Sequence, residues 1–323
     1  MTYMPALEDS ADRLWTYLSQ FLMKLLASPS LARMGLPSPA SHRMRWRARR
    51  SRPASLATVG LWIFASVIAR AQTGENVDVR AGINHNAYDA LLKKYVNEQG
   101  LVNYAAWKQN KADLEALEDY LKQFARKADN PAQDNEKAAS LVNAYNAFML
   151  RWILANYPTE SVWSLKHSFT DKRNKIGGHK VSLDDIEHGA LRPLIGYRVH
   201  AVLVCAARSC PPLQRSAYTG DQFEEQNDRA YRAWLACEDL NKFSPGEKKV
   251  EISSVFKWFK ADFDKVGGVP KILGRYVPQP VREFVDSGKY DIRYLPYNWG
   301  LNDQGPHGRN YSRAHLLFDN IFK

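Results

Sequence analysis

Two cysteines stand five positions apart, Cys205 and Cys210, and His188 precedes the first of them by 17 residues. The reactive form of cysteine is the thiolate. A thiol with a free pKa near ~8.5 needs an imidazole, a cation or a helix N-terminus to ionise at neutral pH. The run Val199-His-Ala-Val-Leu-Val204 reads as a strand of β-branched and apolar residues. Cys205 would then end a strand and enter the turn 206–212, where a side chain can face a cleft. Strand alternation sends His200 to the opposite face from Cys205. His188 is therefore the candidate base, and Asp184, four residues earlier on the same helix face, the candidate orienting carboxylate. Cys205 as nucleophile, His188 as base and Asp184 as orienter make a set suited to acyl transfer. Asn143 and Asn146, amides in an apolar stretch, are candidate donors to an oxyanion. Tyr145, Glu187, Arg192, His200, Arg208 and Cys210 complete the candidate site as substrate-binding residues.

The same residues support blander readings. Cys205 and Cys210 could be a structural disulfide closing a small loop, or a redox couple. Asp184, Glu187 and His188 offer carboxylate and imidazole donors for a metal, although the H-E-x-x-H spacing of helical zinc sites is absent. Two amides in an apolar helix are costly without partners, so Asn143 and Asn146 could instead pin a neighbouring loop. Cys237, beside Trp234 and Leu235, reads as a buried inert thiol. No G-x-G-x-x-G, P-loop or G-x-S-x-G pattern occurs, so no nucleotide site, serine hydrolase or cofactor is implied.

These residues must be positioned by surrounding elements. Tyr88, Leu91, Leu92, Tyr95 and Val96 recur at helical spacing, and Leu114, Leu117, Leu121 and Phe124 form a second stripe. A third helix, about 136–156, is apolar almost all round, as a helix at the centre of a domain must be. Short strands follow at 179–181, 250–252 and 290–297. Ser182 with Asp185 three residues on forms a capping-box variant. The aromatic run Phe256, Trp258, Phe259 and Phe263 reads as core. The expected fold is a single α+β domain, its helical N-terminal half packed on a small, mainly antiparallel sheet.

The order of Asn143-Ala-Tyr-Asn146, Ser182-Leu-Asp-Asp-Ile-Glu-His188 with Leu191-Arg192, and His200-Ala-Val-Leu-Val-Cys-Ala-Ala-Arg-Ser-Cys-Pro-Pro-Leu213 resembles the DUF547 family, whose members have no assigned function. Val255 to Phe263 and Leu295-Pro-Tyr-Asn-Trp-Gly-Leu-Asn302 extend the resemblance over roughly 85–302. Asn298 departs from it, standing where the family pattern has Asp before Trp. The resemblance implies no reaction.

The net charge of +11 suggests a nucleic-acid binder until it is located. Residues 1–71 hold ten Lys and Arg against three acids, leaving 35 basic and 31 acidic residues for the rest. No nucleic-acid partner is expected. Residues 44–71 read as a secretory signal peptide: a basic start, the apolar run Ala54 to Ile68, then Ala69-Arg70-Ala71. Residues 1–43 read as a mis-called start or an extension, 72–84 as a flexible linker and 303–323 as a tail. Contact with a membrane is expected only through an uncleaved leader. The protein is thus expected to be exported, periplasmic or secreted. Its best functional reading is a thiol-dependent hydrolase or acyl transferase acting on envelope amide or peptide bonds, with a small-molecule or peptide ligand. A non-catalytic binding or scaffold domain is the alternative.

Overall fold

A computed structural model describes residues 77–311. The expected leader and residues 1–43 lie outside the described residues. The centre is a 23-residue helix, α4 (Asp134–Asn156), buried without interruption from Ala138 to Leu150. No polar stripe runs along that stretch, so both sides must be covered by other elements. Before it in the chain come α1 (Asn86–Tyr95), α2 (Tyr104–Gln109) and α3 (Lys111–Lys122). The apolar spacing read from the sequence is the buried face: Tyr88, Leu91, Leu92 and Tyr95 on α1, Leu117 and Leu121 on α3. The Asn110 side chain accepts the Asp113 N–H at 3.1 Å and fixes where α3 starts.

After α4 the chain forms a hairpin, β1 (Asn174–Ile176) with β2 (His179–Val181), paired antiparallel. The capping box is present in reciprocal form. Asp185 Oδ2 accepts the Ser182 N–H at 2.9 Å, and Ser182 Oγ accepts the Asp185 N–H at 3.0 Å. What it opens is a π-helical run, Asp185–Leu191, continued by α5 (Arg192–Ile195).

The segment expected as a strand from Val199 to Cys205 is instead a 3-10 turn, Gly196–Ala201, followed by extended chain with no strand partner. Gly196 turns the chain at φ 57°, and Asn146 takes the place of a neighbouring strand. Its Nδ2 donates to the Val202 carbonyl at 2.8 Å, and its Oδ1 accepts the Val204 N–H at 2.9 Å.

α6 (Phe223–Ala236) packs on α4. A three-stranded sheet then follows, in the order β3 (Lys242–Ser244), β4 (Lys249–Ser253), β5 (Asp291–Leu295). β3 and β4 are antiparallel, whereas β4 and β5 are parallel, with Val250 beside Ile292. The parallel step needs a crossover. It is supplied by α7 (Val255–Trp258), α8 (Lys260–Asp264), α9 (Gly268–Tyr276) and α10 (Gln279–Asp286). The fold class is α+β, as expected.

Both expected flexible ends are packed where they are described. Val77, Val79 and Ile83, read as linker, are buried, and Ala132 N–H donates to the Val79 carbonyl at 2.8 Å. Asp303, at the start of the expected tail, is 1% exposed. Among the described residues no helix is long and apolar enough to cross a membrane.

Candidate functional site

The two cysteines meet. Cys205 Sγ lies 2.6 Å from Cys210 Sγ, inside van der Waals contact but beyond a disulfide bond of about 2.05 Å. The turn between them makes this contact. Ala206 sits at φ 61°, a left-handed conformation costing a residue with a Cβ about 1–2 kcal/mol. Cys210 N–H donates to the Ala207 carbonyl at 3.1 Å and closes the turn. The turn is docked on the segment 298–302. Asn302 N–H donates to the Ala206 carbonyl at 3.0 Å, and Arg208 N–H to the Gly300 carbonyl at 2.8 Å. Glycine is required at 300, since a Cβ there would stand 1.9 Å from the Gly308 carbonyl oxygen.

The sulfurs are not equivalent. Cys210 Sγ accepts the Cys205 N–H at 3.2 Å and the Tyr297 hydroxyl at 3.2 Å, and the Ala207 N–H also points to it. Burial pushes the Cys210 thiol up. The hydrogen bonds from Cys205, Tyr297 and the two backbone N–H groups more than offset it, and the net direction is down. Cys205 moves well up, first because its thiol is bonded to Cys210 and then because of burial. The expectation that Cys205 is the readily ionised thiol is therefore corrected: the better thiolate is Cys210. Exposure runs the other way, with Cys210 at 4% and Cys205 partly exposed. Tyr297 is held by two indoles, its ring centre 4.8 Å from Trp258 and 4.5 Å from Trp299. Burial and the adjacent thiols raise its pKa far enough that its hydroxyl remains a donor.

His188 belongs to a different cluster. Its Nδ1 lies 3.2 Å from Arg192 Nη1 and 3.9 Å from Glu187 Oε1. Burial, then the Arg192 charge, lowers its pKa to about 4, so it is neutral at pH 7. An arginine only donates, so Nδ1 is the acceptor and the ring proton is on Nε2. The contacts described for Cys205, with Cys210 and Tyr297, have no member in common with these. Arg192 Nε donates to Asp262 Oδ2 at 2.8 Å, and His200 Nε2 lies 3.0 Å from the same oxygen. Lys265 Nζ lies 3.3 Å from Oδ1. Burial opposes the Asp262 charge, but His200 and Arg192 outweigh it and hold the carboxyl well below its ordinary value. His200 is pushed down by burial against the pull of Asp262. The two directions are compatible if His200 is a neutral N–H donor and Arg192 carries the balancing charge. Its ring also stacks on Phe259 at 4.1 Å.

Glu187 completes this cluster. Burial, then the nearby Asp184 carboxylate, lifts it to about 7, against Arg192 and a hydrogen bond from Tyr145. The wide π-turn corrects the α-helical spacing assumed for Asp184 and His188, and the charge neighbour identified for Asp184 is Glu187. Among the described residues no group of three or more His, Cys, Asp or Glu side chains is arranged to hold a metal ion. The metal reading of Asp184, Glu187 and His188 finds no support in this arrangement.

The two asparagines pin backbone. Asn143 Nδ2 donates to the Tyr218 carbonyl at 2.8 Å, and its Oδ1 accepts the Tyr218 N–H at 2.9 Å. Asn146 does the same for Val202 and Val204. The contacts described for both amides are thus with backbone, Asn143 Nδ2 lying also 3.2 Å from His85 Nδ1, and this is the loop-pinning arrangement. Arg208 Nη2 donates to the Asp303 carbonyl at 2.7 Å and so holds the segment around Asp303 rather than a thiolate. Cys237, half-buried at the end of α6, stands apart.

Tyr297 and Asp262 were missed as individual residues. Each lies inside a sequence motif noted above, and position within a motif was the only signal available.

Residues 130–235 match the model of a family described as proteins of unknown function, DUF547. That stretch holds every candidate residue from Asn143 to Cys210 but neither Asp262 nor Tyr297. No curated protein and no solved structure matches the chain.

Proposed function

We propose that this chain, whose residues 130–235 are a DUF547 region, performs thiol–disulfide chemistry through Cys205 and Cys210. The observation that carries the reading is the 2.6 Å contact between a partly exposed thiol and a buried sulfur that accepts several hydrogen bonds. A dithiol so placed forms an intramolecular disulfide with little movement, losing two electrons and two protons to an acceptor disulfide. The third cysteine, Cys237, takes no part. Export through the 44–71 leader would put the pair in a compartment where disulfides form and persist, with thiols of other envelope polypeptides as reaction partners.

Acyl transfer has less support. It asks Cys205 to ionise beside His188, whereas the Cys205 thiol is raised by Cys210 and the His188 imidazole is turned to Arg192. A purely structural bridge differs from the proposal in one respect, which is exchange.

The test is differential alkylation and mass mapping of the full chain, equilibrated at graded ratios of reduced to oxidised glutathione. The expected result is that Cys205 and Cys210 pass together between free and joined while Cys237 remains free. A pair that is never joined, or a bridge that stays closed at every ratio, would rule the reading out.

A further inference from the structure

The sulfurs differ in exposure and in hydrogen bonding, and the two differences point the same way. From them we infer that the couple runs as a disulfide donor to dithiols of other polypeptides, with Cys205 the sulfur attacked and Cys210 the leaving thiolate. This inference rests on the thiol–disulfide reading above and adds to it a direction and a substrate class.

An incoming thiolate reaches the partly exposed Cys205, whereas Cys210 is 4% exposed. Its attack on Cys205 Sγ forms a substrate–Cys205 disulfide and breaks the Cys205–Cys210 bond. The electron pair departs on Cys210. There it meets the Cys205 N–H, the Ala207 N–H and the Tyr297 hydroxyl, and none of these donors needs the Cys205 thiol proton. The leaving group is therefore stabilised after Cys205 has been consumed. A leaving thiolate held in this way departs faster, and stabilising the reduced form makes the couple more oxidising. The substrate's second thiolate then attacks its own sulfur in the mixed disulfide. This forms the substrate disulfide and releases Cys205, which takes up a proton. The substrate has lost two electrons, and the protein disulfide has gained them. A protein disulfide more oxidising than this couple restores the pair by exchange, accepting the two electrons and two protons.

Attack in the opposite sense is disfavoured on both counts. Cys210 is covered, and Cys205 as a leaving group would share the Ala207 N–H and have the Tyr297 hydroxyl only at 3.6 Å, with no counterpart of the Cys205 N–H that Cys210 accepts. Tyr297 is thus a positioning residue for the leaving thiolate, aimed by Trp258 and Trp299.

The experiment uses the full chain carrying Cys237→Ser, equilibrated with glutathione, alongside the same chain with Tyr297→Phe. Thiolate absorbance near 240 nm is titrated in parallel. The parent is expected to be reduced more readily than glutathione disulfide. Tyr297→Phe removes one hydrogen bond to a charged acceptor, so the equilibrium should move about tenfold toward the protein disulfide and the thiolate titration should move to higher pH. Cys210→Ser should accumulate a mixed disulfide at Cys205 with a peptide disulfide, and Cys205→Ser should accumulate none at Cys210. A couple more reducing than glutathione, an equilibrium unmoved by Tyr297→Phe, or trapping at Cys210 overturns the direction while leaving reversible exchange intact. Failure of the pair to join at any ratio overturns the exchange reading itself. Far-UV and near-UV circular dichroism show that each variant is folded.

Discussion

The thiol turn and the Glu187–Asp262 cluster are tied to adjacent residues of the same central helix, through Asn146 and Tyr145, yet they treat charge in opposite ways. In the cluster the Asp262 carboxylate is already answered by Arg192, His200 and Lys265, all within 3.3 Å. In the turn, several donors are aimed at one sulfur whose charge depends on its chemical state. An ion answered in the resting fold contributes to holding that fold. Donors directed at an atom that gains charge during a reaction lower the barrier to that reaction. The difference suggests that the first region is structural and the second reactive, although both are rich in residues that can do chemistry.

Asp262→Ala should separate the two most sharply. It leaves Arg192 and His200 without their shared acceptor, and breaking a buried pair in this way costs about 3–4 kcal/mol. Urea unfolding at pH 7 measures the loss. If the cluster is structural, the Cys205–Cys210 equilibrium with glutathione should stay within about twofold of the parent. A large change in exchange with little loss of stability would reverse the assignment of roles.

Asn146→Ala should affect both properties. Val202 and Val204 lose a donor and an acceptor inside the molecule, and the expected cost is about 2–3 kcal/mol. Because the same segment carries Cys205, the rate of disulfide formation should fall as well. Asn143→Ala frees the Tyr218 backbone instead and should lower stability without slowing exchange. Stopped-flow oxidation beside equilibrium unfolding distinguishes the two variants. Equal slowing by both would show that the turn responds to general loosening rather than to its own tether.

The contrast also explains what could be read from the sequence. The helices were legible because Tyr88, Leu91, Leu92 and Tyr95, or Leu117 and Leu121, repeat with the period of the structure they form. The Ser182–Asp185 cap was legible because both partners lie within one turn. The segment from Val199 to Cys205 was misread because a short apolar, β-branched run is compatible with any buried conformation. What decided it was an amide more than fifty residues away on another element. The site divided along the same line. That Cys205 and Cys210 could meet follows from their spacing, but which one is the thiolate depends on Tyr297, 87 residues beyond Cys210. The run that carries His188 has π geometry, which the spacing alone did not reveal, and the contact described for its Nδ1 is with Arg192.

Glu187 gives a smaller effect with a defined pH window. Its folded pKa, about 7, lies above the ordinary value of 4.5. A raised folded value means the folded state holds the proton more tightly, so this contribution is full below pH 4.5 and lost as pH rises to 7. Glu187→Gln removes the loss. The variant's stability relative to the parent should be flat below pH 4.5 and rise by about 2 kcal/mol toward pH 7, after discounting for partial exposure. His188 works in the other direction: its folded pKa is depressed to about 4, so its contribution is present above pH 6.5 and lost as pH falls toward 4. The two slopes oppose one another between pH 4.5 and 6.5, and single variants should reveal each. If the Glu187→Gln difference shows no pH dependence, the carboxyl titrates in the fold at its ordinary value, is ionised at pH 7, and the cluster carries one more charge there than described.

The smallest effect belongs to Cys237, which tests whether reactivity lies in the turn or in thiols at large. Burial raises its pKa, and the groups acting on it are its own neighbours Asp239, Leu240 and Glu238. It has neither a second sulfur in contact nor a tyrosine hydroxyl directed at it among the described contacts. Cys237→Ser should therefore change stability by less than about 1 kcal/mol and leave the Cys205–Cys210 equilibrium within about twofold. In the reduced, unfolded chain the donors around Cys210 are gone, so alkylation at pH 6 should label Cys210 and Cys237 at similar rates. In the native chain Cys237 should react first, since Cys210 is shielded and Cys237 is half-buried. Native labelling of Cys237 that lags behind Cys210 would mean that the thiols outside the turn are no more accessible than those within it.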